Sequence, residues 1–354
     1  MAARISLVYF INSLEVGGAE VGMCRLLDGL DEDKYDVTVV ALDGRSSDVT
    51  DRIPSWVNVI SLQTSVKEMF ESSRVLLHSI RNADIIVGSL FHSAMVAKLA
   101  AITNPGAKIV TWRHNSEFKT KTRKNIFNLS TEFTDIVLAD SKPVKKSLVS
   151  QTRVNESIVH IVPIAGIILD EQPQVTHTRT DSPVVGTIGR LIEQKNHMMV
   201  LDVAEYFQDT GIQFKIAGDG ELRDQLKTEI NERQLSNVTL HGFVDDLSEF
   251  KSNLDIYFQP SLYEGLCITV LEAMATGLPI VGSDVGGIGE NVDHGKNGFL
   301  YEPHNVEGFV SGIKKLSNDP RLRAKFGERC RELVSNKYTQ NVLVSEFERA
   351  IKQV

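Results

Sequence analysis

The stretch RISLVYFINSLEVGGAEVGMCRLLDGL, residues 4–30, joins an apolar run to an amphipathic run through a diglycine turn. It begins with a short apolar run, which is typical of a strand buried on both faces of a parallel sheet. After a Gly17-Gly18 turn, apolar side chains recur at the spacing of one helix face. They are Ala19, Met23, Leu26, Leu27 and Leu30. The stretch therefore predicts one strand–turn–helix unit of an α/β fold.

Short apolar runs alternate with amphipathic stretches along the rest of the chain. One group of predicted strands lies at 4–11, 36–42, 57–62, 84–90, 108–112, 135–139 and 158–164. A second group lies near 184–188, 213–217, 238–242, 256–260, 279–283 and 298–301. Between the groups, residues 169–183 are polar, contain two prolines and lack a hydrophobic period, as an interdomain linker does. We therefore predict two doubly wound parallel sheets with a cleft between them.

Composition excludes several classes of protein. With 354 residues, 42% hydrophobic and 24% charged, the chain is long and apolar enough for two globular domains. Its three cysteines are widely spaced, which argues against a disulfide framework or a zinc site and fits a reducing cytosol. The net charge of −8 argues against a general nucleic-acid binder. The most apolar window, 83–103, contains Asp84, His92 and Lys98 and is too polar to span a membrane.

Two predicted strand-to-helix loops have the character of anion sites. Gly17 and Gly18 precede a helix, where unpaired backbone N–H groups and the helix dipole favour an anion. Arg190 and Lys195 flank the loop after the first strand of the second domain, where an Arg and a Lys together would neutralise a diphosphate. The alternatives are a plain tight turn for the first loop and two solvated cations for the second.

Two carboxylates approach the entrance of one predicted helix in the second domain. Glu264 lies in the loop before a helix that begins near Cys267, and Glu272 projects from the early turns of that helix. Each carboxylate can accept hydrogen bonds from vicinal hydroxyls of a sugar or ribose. Such a pair is common by chance, but Gly265 permits a close approach of ligand to the backbone.

These elements resemble, in order and spacing, the family 4 retaining glycosyltransferases. The resemblance spans residues 5–303. It rests on Gly17-Gly-Ala-Glu20, Gly189-Arg190, Lys195-Asn-His197, Ile216-Ala-Gly-Asp-Gly220, His241-Gly-Phe-Val-Asp245, Pro260-Ser-Leu-Tyr-Glu264, Glu272 and Gly286-Gly287. It implies the GT-B arrangement, two facing Rossmann-like domains at 1–168 and 184–337 joined by the linker 169–183. Residues 338–354 resemble the closing helix that crosses back onto the first domain.

The resemblance also implies a nucleotide-sugar site in the second domain. Arg190 and Lys195 would hold the diphosphate, Glu272 the ribose hydroxyls and Glu264 the hydroxyls of the transferred sugar. Backbone groups of the helix entrance would complete the pocket. These are Gly265, Leu266, Cys267 and Ile268.

Further roles follow from the same resemblance. The base of the nucleotide would lie against Phe243 and Val244, and Gly17-Gly18 would close over the diphosphate. His114, after a first-domain strand, would position donor and acceptor near the reacting carbon. The implied set of catalytic residues is His114, Arg190, Lys195 and Glu264.

The implied reaction is a hexosyl transfer with retention of configuration, from a UDP-sugar by default, to a glycan or lipid-linked acceptor of polysaccharide, lipopolysaccharide or glycolipid synthesis. No Asp-x-Asp follows a cleft strand, so we expect no metal and no cofactor, with Arg190 and Lys195 in the place of a divalent ion. The alternatives are a GT-B nucleotide-sugar epimerase and a non-catalytic nucleotide-sugar-binding subunit. Nucleic acid is not an expected partner.

The first half contains a basic segment. Residues 108–146 hold nine basic and four acidic side chains. Within it, residues 118–127 join four cations to Phe118, Ile126 and Phe127, a composition suited to an anionic membrane surface that bears the acceptor. The alternative is a solvated helix face with core-facing aromatics. We therefore predict a cytoplasmic protein with peripheral contact to the inner face of a membrane through 118–127.

Overall fold

The computed structural model describes residues 4–44, 48–62, 66–118, 120–177 and 182–352, and it divides the chain into two compact units. The first unit comprises residues 1–166 together with 340–354. The second comprises residues 167–339. Each unit is a doubly wound α/β body around one parallel sheet, which confirms the predicted fold class.

The first unit has a seven-stranded sheet in the order β3-β2-β1-β4-β5-β6-β7, parallel at every pairing. Its strands are β1 Ile5–Ser13, β2 Tyr35–Asp43, β3 Asn58–Ser61, β4 Ile85–Ser89, β5 Lys108–Arg113, β6 Ile136–Ala139 and β7 Val159–Ile161. Its first five helices are α1 Gly18–Gly29, α2 Val66–Asn82, α3 Phe91–Ala100, α4 Lys121–Leu129 and α5 Lys142–Gln151. The central strands are buried on both faces, which explains their uninterrupted apolar runs.

The second unit has a six-stranded parallel sheet in the order β10-β9-β8-β11-β12-β13. Its strands are β8 Val184–Ile188, β9 Gln213–Ala217, β10 Val238–Gly242, β11 Ile256–Gln259, β12 Ile280–Ser283 and β13 Gly298–Tyr301. Its helices are α6 His197–Glu205, α7 Arg223–Glu232, α8 Leu247–Ser252, α9 Ile268–Thr276, α10 Gly286–Asn291, α11 Val306–Asn318 and α12 Pro320–Lys337. The strand order reverses between β8 and β11. In doubly wound sheets a ligand crevice is expected at such a reversal, outside the carboxyl ends of the strands.

The residues at the two predicted junctions pack onto single units. The described part of the segment 169–183 lies along the second unit, where the Val175 N–H donates to the Thr276 carbonyl at 3.1 Å. Residues 178–181 of the predicted linker lie outside the described residues. The last helix, α13 Gln340–Ile351, belongs to the first unit, and its Phe347 stacks on Trp112 with ring centroids 5.8 Å apart. Tyr338, the predicted start of that helix, stays in the second unit, where its carbonyl accepts from the Ile167 N–H.

Candidate functional site

Two loops of the second unit are bound together at the point where its strand order reverses. One loop follows β8 and contains Lys195, and the other follows β11 and contains Glu264. The Leu262 N–H donates to the Gln194 carbonyl at 2.9 Å, and the Gln194 side-chain amide donates to the Tyr263 carbonyl at 3.0 Å. These two bonds fix the separation of the loops, so the side chains they carry are held in one arrangement.

Lys195 and Glu264 form a buried ion pair between these loops. The Lys195 Nζ lies 2.7 Å from Glu264 Oε1, and the side chains are 14% and 6% exposed. The Ser261 hydroxyl donates to the same oxygen at 2.8 Å. Within the part of the chain that the structure describes, no partner is bound to Oε2 of Glu264. An ammonium has three N–H groups, so Lys195 can bind a further anion while it keeps Glu264.

The negative charge of Glu264 favours the charged form of Lys195. Burial is the largest effect and would by itself lower the pKa of the Lys195 ammonium. The charge and the hydrogen bond of Glu264, with a contribution from Cys267, together hold the pKa above its usual value. Arg190 acts in the opposite direction on the same ammonium, because its positive charge lies near. Arg190 itself is exposed, and the joint role of Arg190 and Lys195 in binding a diphosphate stays a prediction.

A hydrogen-bonded row of side chains on β11 holds Glu264 from behind. Alternate residues of a strand share one face, so Tyr257 and Gln259 point the same way while Phe258 enters the hydrophobic core. Ser261 lies two residues beyond the end of β11 and continues the row. The Tyr257 hydroxyl lies 3.1 Å from Gln259 Oε1, and the Gln259 amide donates to the Ser261 hydroxyl at 2.8 Å. Ser261 then donates to Glu264. The row fixes the position of Oε1 and leaves Oε2 for a ligand.

Two glycines of α10 press against the Glu264 loop. Gly286 has φ +48°, and a Cβ added there would lie 2.0 Å from the Glu264 carbonyl oxygen. The Gly287 N–H donates to the Gly265 carbonyl at 2.7 Å, and a Cβ on Gly287 would lie 2.4 Å from the Leu266 carbonyl. Only glycine fits such a close backbone approach. Gly286 and Gly287 therefore allow the start of α10 to lie in direct backbone contact with the loop that carries Glu264.

The loop ends at the entrance of α9. Cys267 precedes the helix with a left-handed φ of +59°, and Ile268 is the first helical residue. Burial, with a further contribution from Glu264, raises the pKa of the Cys267 thiol to about 12, so this thiol stays protonated and unreactive. Glu272 lies one turn into the helix and is 8% exposed. In the sequence, the N–H groups at the start of α9 therefore lie between Glu264 and Glu272, the two predicted carboxylates.

The predicted base-binding turn follows β10. Phe243 is 60% exposed and Val244 is half-buried. The preceding Gly242 accepts from the Gly218 N–H at 2.7 Å, and a Cβ on Gly218 would lie 1.9 Å from the Gly189 carbonyl oxygen. The Phe243 turn is therefore connected through tight backbone packing to the loop that begins with Gly189 and Arg190.

His197, the first residue of α6, is a buried residue that belongs to the Lys195-Asn-His197 motif but received no role of its own in the sequence analysis. Its side chain is 1% exposed, and neither ring nitrogen has a hydrogen-bond partner among the described residues. Burial and the neighbouring Lys195 charge lower its pKa to about 4, so the imidazole is neutral at pH 7.

In the first unit, Gly17 precedes α1 and Gly18 begins it. A Cβ on Gly17 would lie 2.4 Å from a carboxylate oxygen of Glu20, which occupies the first turn of the helix. A carboxylate of the chain therefore lies at the helix N-terminus where we predicted a phosphate. The role of Gly17 and Gly18 stays a prediction.

His114 follows β5 in the same unit and is part of a hydrogen-bonded network. Its Nδ1 lies 2.8 Å from Asp140 Oδ2 and its Nε2 lies 2.7 Å from the Ser89 hydroxyl. The other oxygen of Asp140 accepts from the Trp112 indole N–H at 2.8 Å. The His114 side chain is 8% exposed. A lone His gave no sign of these partners in the sequence.

The basic segment 118–127 is only partly a charged surface. Phe118 packs against the buried Phe127 with ring centroids 5.4 Å apart, and the Arg113 guanidinium lies 4.3 Å from the centre of the Phe118 ring. Its aromatic side chains therefore face the interior, as the alternative interpretation expected, and Arg113 is buried with a pKa lowered to about 10. Lys119 lies outside the described residues.

Of the predicted site residues, the structure joins Lys195 and Glu264 directly in the second unit, and it places Gly17, Gly18 and His114 in the first. Sequence reasoning missed Ser261, Gln259, Ser89 and Asp140. A signal was present, since each is a polar residue at or just after the end of an apolar strand. In the described ranges, no three His, Cys, Asp or Glu side chains are grouped as a metal site would require.

Two family models match the chain. One, described as Glycosyltransferase Family 4, matches residues 16–165, and the other, Glycosyl transferases group 1, matches residues 169–333. An uncharacterized glycosyltransferase of Haemophilus influenzae is 24% identical over 354 residues, with 96% of this chain and 97% of that protein covered. The poly(ribitol-phosphate) alpha-N-acetylglucosaminyltransferase of Staphylococcus aureus is 31% identical over 175 residues, which are 48% of this chain and 35% of that protein.

Among solved structures, HepE of Anabaena in complex with UDP and glucose matches with a TM-score of 0.84 over 99% of this chain and 100% of that one, at 19% identity. Two doubly wound parallel-sheet units with this likeness define a protein of the GT-B class. Both halves carry matching family models, and the chain belongs to the group 1, family 4 glycosyltransferases.

Proposed function

We propose that the protein transfers a sugar from a UDP-sugar to a glycan or lipid-linked acceptor of the cell surface, with retention of anomeric configuration. The observation that carries the proposal is the Lys195–Glu264 pair at the strand-order reversal of the second unit, with Arg190 beside it. Two relatives support the choice of substrates. HepE was solved with UDP and glucose, and the Staphylococcus aureus relative transfers N-acetylglucosamine to poly(ribitol-phosphate).

The geometry of the pair suits two tasks at once. Lys195 keeps one N–H on Glu264 and directs others, together with Arg190, at the diphosphate. Glu264 accepts sugar hydroxyls on Oε2 while Lys195 and Ser261 hold Oε1. The sugar and its leaving group are thereby oriented by one rigid unit of side chains.

In the proposed reaction an acceptor hydroxyl attacks the anomeric carbon as the bond from that carbon to the diphosphate oxygen breaks. The hydroxyl proton passes to the departing diphosphate, so no protein nucleophile is needed. Negative charge accumulates on the diphosphate, and Arg190 and Lys195 stabilise it. Because these cations neutralise the leaving group, we propose that no divalent metal is required.

Calorimetry with UDP tests the nucleotide site. Replacing Glu272 by Ala should weaken UDP binding by about 1 to 3 kcal/mol, the range for a hydrogen bond to a charged group. Glu232, an exposed residue of α7, provides the control, and Glu232→Ala should leave binding unchanged. Unchanged UDP binding by Glu272→Ala would contradict the ribose assignment.

Transfer assays test the reaction itself. Activity should persist in EDTA, and NMR of the product should show the anomeric configuration of the donor. Activity that is lost in EDTA and restored by manganese would contradict metal independence. Formation of an altered sugar from donor alone would instead favour an epimerase, and nucleotide binding without turnover would favour a non-catalytic subunit.

A surface formed by α3 and α4 supports the proposed contact with an anionic membrane. The helices are joined side by side, because the Lys98 ammonium donates to the Ser130 hydroxyl at 3.0 Å and the Arg123 guanidinium lies 5.2 Å from the centre of the Phe91 ring. Exposed apolar side chains occur on these helices and in the turns that follow them. They are Leu99, Ile102, Ile126, Leu129 and Phe133. We define the α3–α4 surface as these residues with Lys121, Arg123 and Lys124.

Such a mixture of cations and exposed apolar groups suits an interface of anionic lipid. No described helix has the length and apolar composition to cross a bilayer. Lys121→Gln combined with Lys124→Gln should abolish co-sedimentation with anionic vesicles, whereas Lys227→Gln with Lys314→Gln in the second unit should not. Salt should release the wild type, since the attraction is screened. Equal sedimentation with neutral vesicles, or none with either kind, would contradict the membrane contact.

A further inference from the structure

The hydrogen bonds around His114 connect the ends of three neighbouring strands. Ser89 is the last residue of β4, His114 follows β5 and Asp140 follows β6. These strands are adjacent and parallel, with Ser89 paired to Trp112 and Trp112 paired to Leu138. Parallel strands end at the same edge of a sheet, so three residues that are distant in sequence meet there.

Asp140 determines which nitrogen of His114 carries a proton. As a carboxylate it can only accept hydrogen bonds, and its two oxygens face the His114 Nδ1 and the Trp112 indole N–H, each at 2.8 Å. Nδ1 must therefore carry hydrogen. In a neutral imidazole this leaves Nε2 with a lone pair, and the Ser89 hydroxyl at 2.7 Å is the group that donates to it.

Ser89, His114 and Asp140 are hydrogen-bonded in the same order as the Ser-His-Asp catalytic triad of hydrolases. The Ser89 hydroxyl, however, is not accessible for nucleophilic attack on a substrate. Ser89 is fully buried. Its carbonyl accepts from the Ser93 hydroxyl, and the next residue, Leu90, turns the chain with a left-handed φ of +74°. The Ser89 hydroxyl is therefore directed at Nε2 and withheld from solvent.

We propose that Asp140 is a positioning residue that holds His114 as its Nδ1–H tautomer, with the Nε2 lone pair reserved for a substrate hydroxyl. In this structure Ser89 occupies that lone pair, and a hydroxyl of the sugar or the acceptor replaces it during transfer. The proposal rests on the proposed function, since it assumes that His114 contacts a substrate. It adds that His114 accepts, rather than donates, the hydrogen bond.

Asp140→Asn is the sharpest variant. The Asn oxygen can still accept from Trp112, while the Asn NH₂ group faces His114 and donates to Nδ1. The tautomer should then reverse to Nε2–H, which cannot accept from a hydroxyl. Ser89→Ala is the matched control, because it removes the partner of Nε2 and keeps Asp140.

Nitrogen-15 NMR of histidine-labelled protein reads the tautomer, with the His114 signals assigned through His114→Gln. We expect Nδ1–H in the wild type and in Ser89→Ala, and Nε2–H in Asp140→Asn. In transfer assays Asp140→Asn should lower kcat about 10- to 100-fold, with KM for the nucleotide-sugar within about twofold. Asp36→Asn, at an exposed position of β2 in the same unit, is the activity control and should leave kcat unchanged.

Nδ1–H in Asp140→Asn would overturn the tautomer assignment. Reversal of the tautomer with kcat unchanged would overturn the role of the Nε2 lone pair. The NMR result does not depend on turnover, so an inactive wild type would count against the proposed function while the tautomer was still decided. UDP calorimetry on each variant separates loss of fold from loss of His114 geometry, since UDP is assigned to the second unit.

Discussion

Neutralising one member of the Lys195–Glu264 pair should destabilise the second unit more than neutralising both. The pair is buried, with side chains 14% and 6% exposed. Lys195→Met leaves the Glu264 carboxylate with only the Ser261 hydroxyl, and Glu264→Gln leaves a buried ammonium without its carboxylate. Removing one partner of a buried pair costs about 3 to 5 kcal/mol, because the remaining charge is not compensated.

The double variant contains neither charge, so its cost should be well below the sum of the single costs. We expect a coupling energy of about 2 to 4 kcal/mol from the double-mutant cycle. The Lys296–Asp293 pair of the same unit is the control, since its side chains are 65% and 69% exposed and its atoms are 3.6 Å apart. Its neutralisation should cost less than about 1 kcal/mol.

Hydrogen exchange during denaturant unfolding measures these costs for each unit. Both tryptophans, Trp56 and Trp112, belong to the first unit, so their fluorescence reports unfolding there. The reasoning would be refuted if the stability lost in the double variant equalled the sum of the losses in the two single variants. It would also be refuted if the single losses were as small as that of the Lys296–Asp293 control. That result would mean that water screens the pair despite its burial.

Three further predictions concern the second unit. The folded pKa of His197, about 4, lies below its ordinary value of 6.5, so between these pH values the unfolded chain binds a proton that the folded chain does not. The free energy of unfolding should therefore fall by about 3 kcal/mol as pH drops from 6.5 to 4. In urea titrations His197→Leu should remove this loss, whereas His304→Leu, at an exposed position, should not. Gly286→Ala should lower the stability of the fold by about 2 kcal/mol or more, measured by thermal unfolding, and should weaken UDP binding, measured by calorimetry. Gly295 also has a positive φ of +78° but open space around it, so Gly295→Ala should lower stability by only about 1 kcal/mol. Ser261→Ala should raise KM for the nucleotide-sugar while UDP affinity stays within about twofold, because Ser261 holds the sugar-binding carboxylate; a parallel loss of UDP affinity would contradict this.

The strands and the fold class could be predicted from local sequence patterns. The run 184–188 became β8 without a shift, and β9, β10 and β13 also kept their predicted ends. Burial on both faces of a parallel sheet requires an unbroken apolar run, and this requirement is local, so it can be recognised in a single stretch. The helix entrance near Cys267 was recognisable for a similar reason, since a Gly-containing loop precedes a run of helix-forming residues.

The sequence also located the loops that carry Arg190, Lys195 and Glu264, because ligands of doubly wound sheets bind at strand ends. It did not show that Lys195 and Glu264 form an ion pair. These residues are 69 positions apart, and they meet only because β8 and β11 are neighbours in the sheet. Strand order is a non-local property that no pattern within one strand contains.

Side-chain direction, like strand order, depends on packing between distant parts of the chain. Phe118 and Phe127 have the composition of a membrane contact, yet they turn inward and pack on each other. His114 has an unremarkable sequence context, yet Ser89 and Asp140 enclose both of its nitrogens. Composition states which chemical groups are present, whereas packing across neighbouring strands decides which of them are buried, paired or left open to a ligand.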